Sequence, residues 1–268
     1  MEAPNRSPII TLTTDFGLLD HYVGTMKGVV LSRCPEARLI DISHEIAPFS
    51  IYAGAYAIDQ AAPYFLPGTV HVVVIDPGVG TARKPILAEA LGQIFIAPDN
   101  GVLSLIFARD RQAKAREITR RDLWLENASA TFHGRDIFAA TAGAIASGAA
   151  KPCEAGPELQ EIEKLADLEP VETAAGVWRG RILSVDRFGN AITNFPSSKF
   201  TELVLARFCL SIGSHQIRGF RETFGAAEPE ECFVYFGSSG YAEIGMNRQN
   251  AAERLGAVPG ARVHLRLL

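Results

Sequence analysis

From Ile9 to Ala97 the sequence alternates short β-branched runs with longer amphipathic stretches, a pattern that leaves few folds open. Ile9 to Thr13 reads as a strand, Asp20 to Cys34 as a helix, Arg38 to Ile42 as a strand and Ser50 to Phe65 as a helix. Val70 to Ile75 and Gln93 to Ala97 are apolar runs too short for helices and bounded by Pro or Gly, as suits strands buried on both faces. Such alternation predicts an α/β fold, a mostly parallel sheet covered by helices. A further helix is expected from Gly134 through the alanine-rich segment to Ser147.

The pattern then changes. Glu154 to Glu172 carries seven acidic residues, one Lys and two prolines with no apolar period, and is read as a linker. Beyond Gly176 the runs are short and strand-like: Arg181 to Val185, Ala191 to Phe195, Phe208 to Ile212, Cys232 to Phe236 and Ala261 to Leu267. A smaller antiparallel β-barrel follows as the second domain. The expected division is therefore an N-terminal α/β domain over residues 1–153, a linker over 154–175 and a C-terminal β-barrel domain over 176–268.

Charge and cysteine usage remove several functions. With 26 basic against 30 acidic residues, a net charge of -4, there is no field to drive sequence-independent binding to phosphate backbones, and no nucleic-acid partner is expected. Met1 to Pro8 lacks the apolar core of a secretory signal, and no run approaches the roughly 20 apolar residues of a membrane span. Cys34, Cys153, Cys209 and Cys232 are scattered without CxxC or Cys/His spacing. The expectation is a soluble cytoplasmic protein with reduced thiols and no metal; of the histidines, only His133 pairs with a candidate carboxylate. Gly78-Val79-Gly80 has neither the Gly-Lys-Ser/Thr ending of a phosphate loop nor the spacing of a dinucleotide fingerprint.

In an open α/β sheet ligands collect at the carboxyl ends of the strands, so the polar residues there are the ones to inspect. Thr13-Thr14-Asp15-Phe16-Gly17, Asp76-Pro77-Gly78-Val79-Gly80 and Ala97-Pro98-Asp99-Asn100-Gly101 each follow an expected strand. A single Asp beside Gly is ordinary turn chemistry. Recurrence at successive strand ends points instead to a site.

These segments, with Asp41-Ile42-Ser43-His44, Ala82-Arg83, Thr131-Phe132-His133-Gly134-Arg135-Asp136, Asp186-Arg187-Phe188-Gly189-Asn190 and Ser238-Ser239-Gly240-Tyr241, carry a family resemblance across nearly the whole chain. The sequence resembles the S-adenosyl-L-methionine (SAM) hydroxide adenosyltransferases, relatives of the bacterial fluorinase and chlorinase. The resemblance implies hydrolysis of SAM to adenosine and L-methionine with no cofactor. It also implies a homotrimer whose sites lie between one subunit's N-terminal domain and its neighbour's C-terminal domain. Asp76, Arg83 and His133 match the family's water-activating set. Attack at C5′ expels a neutral thioether, so the leaving group needs no acid, whereas water needs orientation and a base. A carboxylate and an imidazole can share those roles while a guanidinium favours hydroxide-like charge. In the plainer alternatives Arg83 is a solvated turn residue and His133 a helix cap.

Asp15, at the tip of the first strand, suits two vicinal ribose hydroxyls; its alternative is a helix N-cap or Asx-turn. Phe188 offers an aromatic face for adenine and Asn190 an amide for a polar ligand edge. By resemblance Asp186 faces the methionine amino group, and Ser238, Glu243 and the main chain near Met246 supply the remaining adenosyl and methionine contacts. The chain departs from the family in carrying Gly237 where Asn often precedes the serine, and in the spacing from Tyr241 to Asn250. Two other functions stay in view. A halide transferase would carry tyrosine at position 133, and fluorinase has serine where Gly134 stands; a non-catalytic adenosyl-ligand sensor would have lost one of the water-activating residues.

Overall fold

The computed structural model describes residues 7–204 and 206–268, so most of the Met1 to Pro8 stretch lies outside the described residues. The chain forms two compact units that meet between Leu165 and Ala166.

The first unit is built on a six-stranded sheet: β1 (Ile9–Thr14), β2 (Arg38–Ser43), β3 (Val70–Val74), β4 (Pro85–Ala90), β5 (Gln93–Pro98) and β6 (Lys114–Glu117), in the order β2-β1-β3-β5-β4-β6. β2, β1, β3 and β5 run parallel, while β4 is antiparallel to both β5 and β6. The parallel part obeys the expected alternation. Every residue of β3 is buried, and β1 is buried from Ile10 onward, so neither shows a polar face. β2, at the edge, exposes Arg38, Ile40 and Asp41.

Helices cover both faces. α1 (Tyr22–Arg33) buries Val23, Met26 and Val30, the i, i+3, i+7 stripe of one helical face. Met26 and Val30 of that stripe join Ile10, Leu12 and Val72 in one core cluster, whereas Val73, Ile75 and Phe95 join Ile58 of α2 (Ile51–Ala61) in another. α2 starts where Ser50 Oγ accepts a hydrogen bond from Ala53 N at 3.3 Å. The helix expected from Gly134 begins as a π-helical turn, Gly134–Ala139, and continues as α4 (Ala140–Ala146), following α3 (Ser104–Arg109).

The acidic segment packs on the first unit before the units divide. Leu159 N donates to Ala115 O at 2.8 Å, Glu163 N to Asp99 Oδ1 at 2.9 Å and Leu165 N to Ser104 Oγ at 2.9 Å. Its end enters the second unit as part of β7 (Val171–Ala174).

That unit is all antiparallel. β8 (Val177–Val185), β9 (Ala191–Pro196), β10 (Phe208–Ile212), β11 (His215–Ile217), β12 (Cys232–Phe236), β13 (Tyr241–Met246) and β14 (Arg262–Leu267) order as β11-β10-β14-β8-β9-β13-β12, with β7 on β8. β8 pairs with β14 along its first half and with β9 along its second, and the register shifts between Ile182 and Ser184. A bulge of this kind bends a strand, here turning the sheet toward a barrel. A bridge between Phe220 and Val234 links the far ends of the order. Alternate residues, among them Leu210, Val263 and Leu265, fill the interior with Phe195, Phe200 and Phe208. α5 (Ala251–Leu255) is capped by Asn250, whose Oδ1 accepts from Glu253 N at 2.9 Å, and ends at the left-handed Gly256.

Candidate active site

From β1 the chain goes to β2 on one side and then crosses to β3 on the other, so the crevice between β1 and β3 is the topological switch point of the first sheet. Asp15 follows β1 and Asp76 follows β3 at that crevice. The backbone from Asp76 to Arg83 folds back on itself, with Val79 N bonded to Asp76 O at 3.2 Å and Thr81 N to Gly78 O at 3.1 Å. Gly80 sits at φ +78° where an added Cβ would lie 2.7 Å from the carbonyl oxygen of Ala130. Only glycine fits this position without displacing backbone.

The turn brings Arg83 onto Asp76. Arg83 Nε donates to Asp76 Oδ1 at 3.0 Å and Arg83 Nη2 donates to Oδ2, a two-pronged pair with both side chains less than a tenth exposed. Arg83 Nη2 also donates to His133 Nδ1 at 2.7 Å. A guanidinium cannot accept, so the imidazole accepts at Nδ1 and the neutral ring carries its proton on Nε2. Burial first, and the charge of Arg83 second, hold His133 below its ordinary pKa, against the opposing charges of Asp76 and Asp136. Arg83 Nη1 is buried and has no hydrogen-bond partner among the described residues.

His133 is the residue before the π-helical turn. Its approach is fixed by Asp136, which is fully buried and accepts from Ser129 N at 2.7 Å and from Arg135 Nε at 2.5 Å. Gly134 packs so closely that a Cβ would meet the Phe16 ring at 3.3 Å and Met26 Sδ at 3.4 Å.

Asp15 is held from the β2–α2 loop, where Phe49 N donates to its Oδ2 at 2.8 Å. Burial raises the Asp15 carboxyl above its usual range, opposed by the Phe49 bond and reinforced by the charge of Asp76. Phe49 is 73% exposed and adopts φ +65°, a conformation that costs a non-glycine residue on the order of 1–3 kcal/mol. The same loop clamps the rest of the Asp15 turn: His44 Nδ1 lies 2.8 Å from Thr14 Oγ1 and His44 O accepts from Gly17 N at 2.8 Å. His44 thus serves as a buried strut. Asn100 does similar work, donating to Ile75 O at 2.8 Å just before Asp76.

The second unit carries the other predicted residues. Phe188, Asn190 and Met246 line one cavity of about 540 Å³, together with Phe224 and the Arg248 to Asn250 stretch. Asp186, Ser238 and Glu243 lie off that cavity. Asp186 shapes the loop, its Oδ1 accepting from Phe188 N at 2.9 Å and Asn190 N at 2.8 Å and its Oδ2 from Asn190 Nδ2 at 2.7 Å. Ser238 is exposed, and its hydroxyl has no partner among the described residues. Glu243 is buried, accepting from Tyr235 Oη at 2.5 Å and Ser239 Oγ at 2.9 Å. Among the described residues no group of three or more His, Cys, Asp or Glu converges as metal ligands, and no helix is long and apolar enough to cross a membrane.

Residues 10–156 match the SAM hydroxide adenosyltransferase N-terminal domain, and residues 180–264 match the C-terminal domain of the same family. The chain belongs to the SAM hydroxide adenosyltransferase family. It is 36% identical to the (R)-S-adenosyl-L-methionine hydrolase of Salinispora tropica over 267 residues, covering 97% of this chain and 98% of the relative. A fluorinase of an Actinoplanes species is more distant, at 29% identity over 71% of this chain and 72% of the fluorinase. The fold matches the crystal structure of a conserved Thermotoga maritima protein with a TM-score of 0.84 at 35% identity, covering 96% of this chain and 99% of that one.

Sequence reasoning missed Phe49 and the cavity residues Phe224, Arg248, Gln249 and Asn250. Phe49 acts through a backbone N–H in a conformation usual for glycine, which its identity conceals. The cavity residues come from separate turns, and no spacing in the sequence brings Phe224 beside Phe188.

Proposed function

We propose that this family member hydrolyses SAM to adenosine and L-methionine by attack of water on C5′. The observation that carries the mechanism is the Asp76–Arg83–His133 chain with its buried, unpartnered Arg83 Nη1. Arg83 has only donors, and the one unprotonated nitrogen of neutral His133 already accepts from Arg83. Asp76 is therefore the member with acceptor capacity left, since two of its roughly four lone-pair sites are taken. In this reading Asp76 accepts a proton of the attacking water, Arg83 Nη1 donates to the oxygen as it gains hydroxide character, and His133 Nε2–H orients it. The oxygen–C5′ bond forms as the C5′–sulfur bond breaks, and its electron pair stays on the sulfur of methionine. Asp76 then returns the proton to solvent.

Asp15 takes the ribose hydroxyls, which its burial and fixed carboxylate support. Phe188, Asn190 and Met246 take the adenosyl group, and Asp186, Ser238 and Glu243 the methionine end. By resemblance the protein is a homotrimer with sites shared between subunits, and the water-activating set and the adenosyl cavity belong to different units of the chain. The substrate is the small molecule alone, without cofactor, nucleic acid or membrane, and the free thiols Cys34, Cys153, Cys209 and Cys232 fit a reducing cytoplasm.

The sulfonium sulfur is a stereocentre, and the Salinispora relative is named for its R form. We assign the same epimer to this chain. Incubated with an epimeric mixture, the protein should deplete the R form and release adenosine, whereas Asp76→Ala should fold normally and lose on the order of 10²-fold in turnover. Undiminished turnover by the variant would refute the assignment of Asp76. Equal consumption of both epimers would refute the stereochemical one, and a halogenated nucleoside as main product in molar chloride would give the site to halide transfer.

A further inference from the structure

A line of side chains runs from the surface of the first unit to the turn that carries Asp15. Lys27 Nζ on α1 donates to Asp41 Oδ2 on β2 at 2.6 Å, Asp41 Oδ1 lies 3.0 Å from His44 Nε2, and His44 Nδ1 lies 2.8 Å from Thr14 Oγ1. His44 and Thr14 are buried, while Lys27 and Asp41 reach solvent. A register shift makes the line possible. Leu12 pairs with Asp41 but Thr13 pairs with Ser43, so Ile42 is an extra residue in β2. Such a bulge re-aims the residues that follow it, and His44 comes to lie against Thr14.

The protons on this line follow from the charges. Asp41 and His44 Nε2 meet as a charge contact and not as an aligned hydrogen bond, yet a carboxylate this close favours a proton on Nε2. The neutral ring then accepts at Nδ1, and the Thr14 hydroxyl donates to it. Against the burial that would raise it, Lys27 and then His44 hold the Asp41 carboxyl below its usual range, which keeps the charge that selects this tautomer. With its proton committed to His44, the Thr14 oxygen accepts from Phe16 N at 3.3 Å. The His44 carbonyl accepts from Gly17 N at 2.8 Å. Asp15 lies between these two anchors, so one histidine fixes the backbone on both sides of it.

We infer that His44, oriented by Asp41 and joined to Thr14, is a positioning residue that aims the Asp15 carboxylate at the vicinal ribose hydroxyls, and so sets selectivity for ligands that carry that diol. The inference rests on the proposed placing of the ribose on Asp15.

Two nucleosides test it without turnover: adenosine, which carries both hydroxyls, and 2′,3′-dideoxyadenosine, which carries neither. In calorimetric binding, His44→Ala and Thr14→Val should each lower affinity for adenosine about tenfold and change affinity for the dideoxynucleoside less than twofold. Thr14→Ser keeps the hydroxyl and should bind adenosine within about twofold of wild type. Combining Thr14→Val with His44→Ala should add little to the loss caused by His44→Ala alone, because both act through one hydrogen bond. With SAM, KM should rise about tenfold in His44→Ala while kcat stays within about twofold, since the diol is held alike before and during the reaction. Should His44→Ala fail to fold, the two Thr14 variants carry the comparison. Equal wild-type affinity for the two nucleosides, losses of the same size for both, or a Thr14→Val protein that binds adenosine as wild type does would overturn the inference. A wild-type protein that releases no adenosine from SAM would instead overturn the functional reading, and the nucleoside comparison would still report on His44.

Discussion

At the level of single residues, the site turns on which groups can take a proton. His133 enters the set as a neutral acceptor of the Arg83 hydrogen bond, held there by burial and by the positive charge beside it. Protonating Nδ1 would place two positive groups in contact, so the arrangement depends on His133 staying neutral. Its pKa in the folded protein lies below the ordinary value of about 6.5. Its stabilising contribution is therefore whole above about pH 6.5 and is lost as pH falls through the lowered folded value. The turnover of wild type should decline over the same acidic window. His133→Gln should be slower at every pH and lack that limb of the profile, so an acid limb that survives the substitution would show that another group titrates there. In the sequence Asp15 and Asp76 stand out as polar residues just after expected strands, whereas Arg83 and His133 stand out through the family resemblance. What could not be read was the direction of the Arg83–His133 hydrogen bond, which a fold of some 50 intervening residues creates.

Among the elements, parallel strands β1, β2, β3 and β5 declared themselves through apolar runs, and their ends located the site. β4 and β6 did not. The first opens with Pro85 and contains Ala88 and Ala90, and the second is Lys-Ala-Arg-Glu, so neither has the β-branched content that marks a strand. Pairing of β4 with β5, and of β6 with β4, makes them strands, and not local propensity. The π-helical turn after His133 was likewise hidden, because the sequence there predicts a helix but carries no signal that separates a π-helical turn from an ordinary one. The turn from Asp76 to Arg83 offers the sharper test of how an element sets chemistry. Gly80→Ala should cost about 1–3 kcal/mol of stability from its left-handed backbone. It should also lower turnover at temperatures where the variant is still folded, because the Ala130 carbonyl would push the turn away from His133. Denaturant melts and initial rates measure both. A variant as stable and as fast as wild type would mean the turn yields without strain.

For the whole molecule, the two-unit plan was legible from the change of pattern after residue 153, whereas the acidic segment was not: its apolar residues Leu159 and Ile162 pack on the first unit's core. The division of proposed ligand residues between units has a direct consequence. Asp15→Ala and Asn190→Ala proteins, each nearly inactive alone, should regain partial activity when mixed under conditions that exchange subunits, since some shared sites then pair two unaltered halves. Exchange shown by light scattering without recovered activity would place each site within one chain. The central claim, attack of a water held by Asp76, Arg83 and His133 on C5′ of SAM, is tested most directly with isotopic oxygen. In water enriched in ¹⁸O, mass spectrometry should find one heavy oxygen at the 5′-hydroxyl of adenosine and none in methionine. Adenosine without the label, or no adenosine at all, would contradict it.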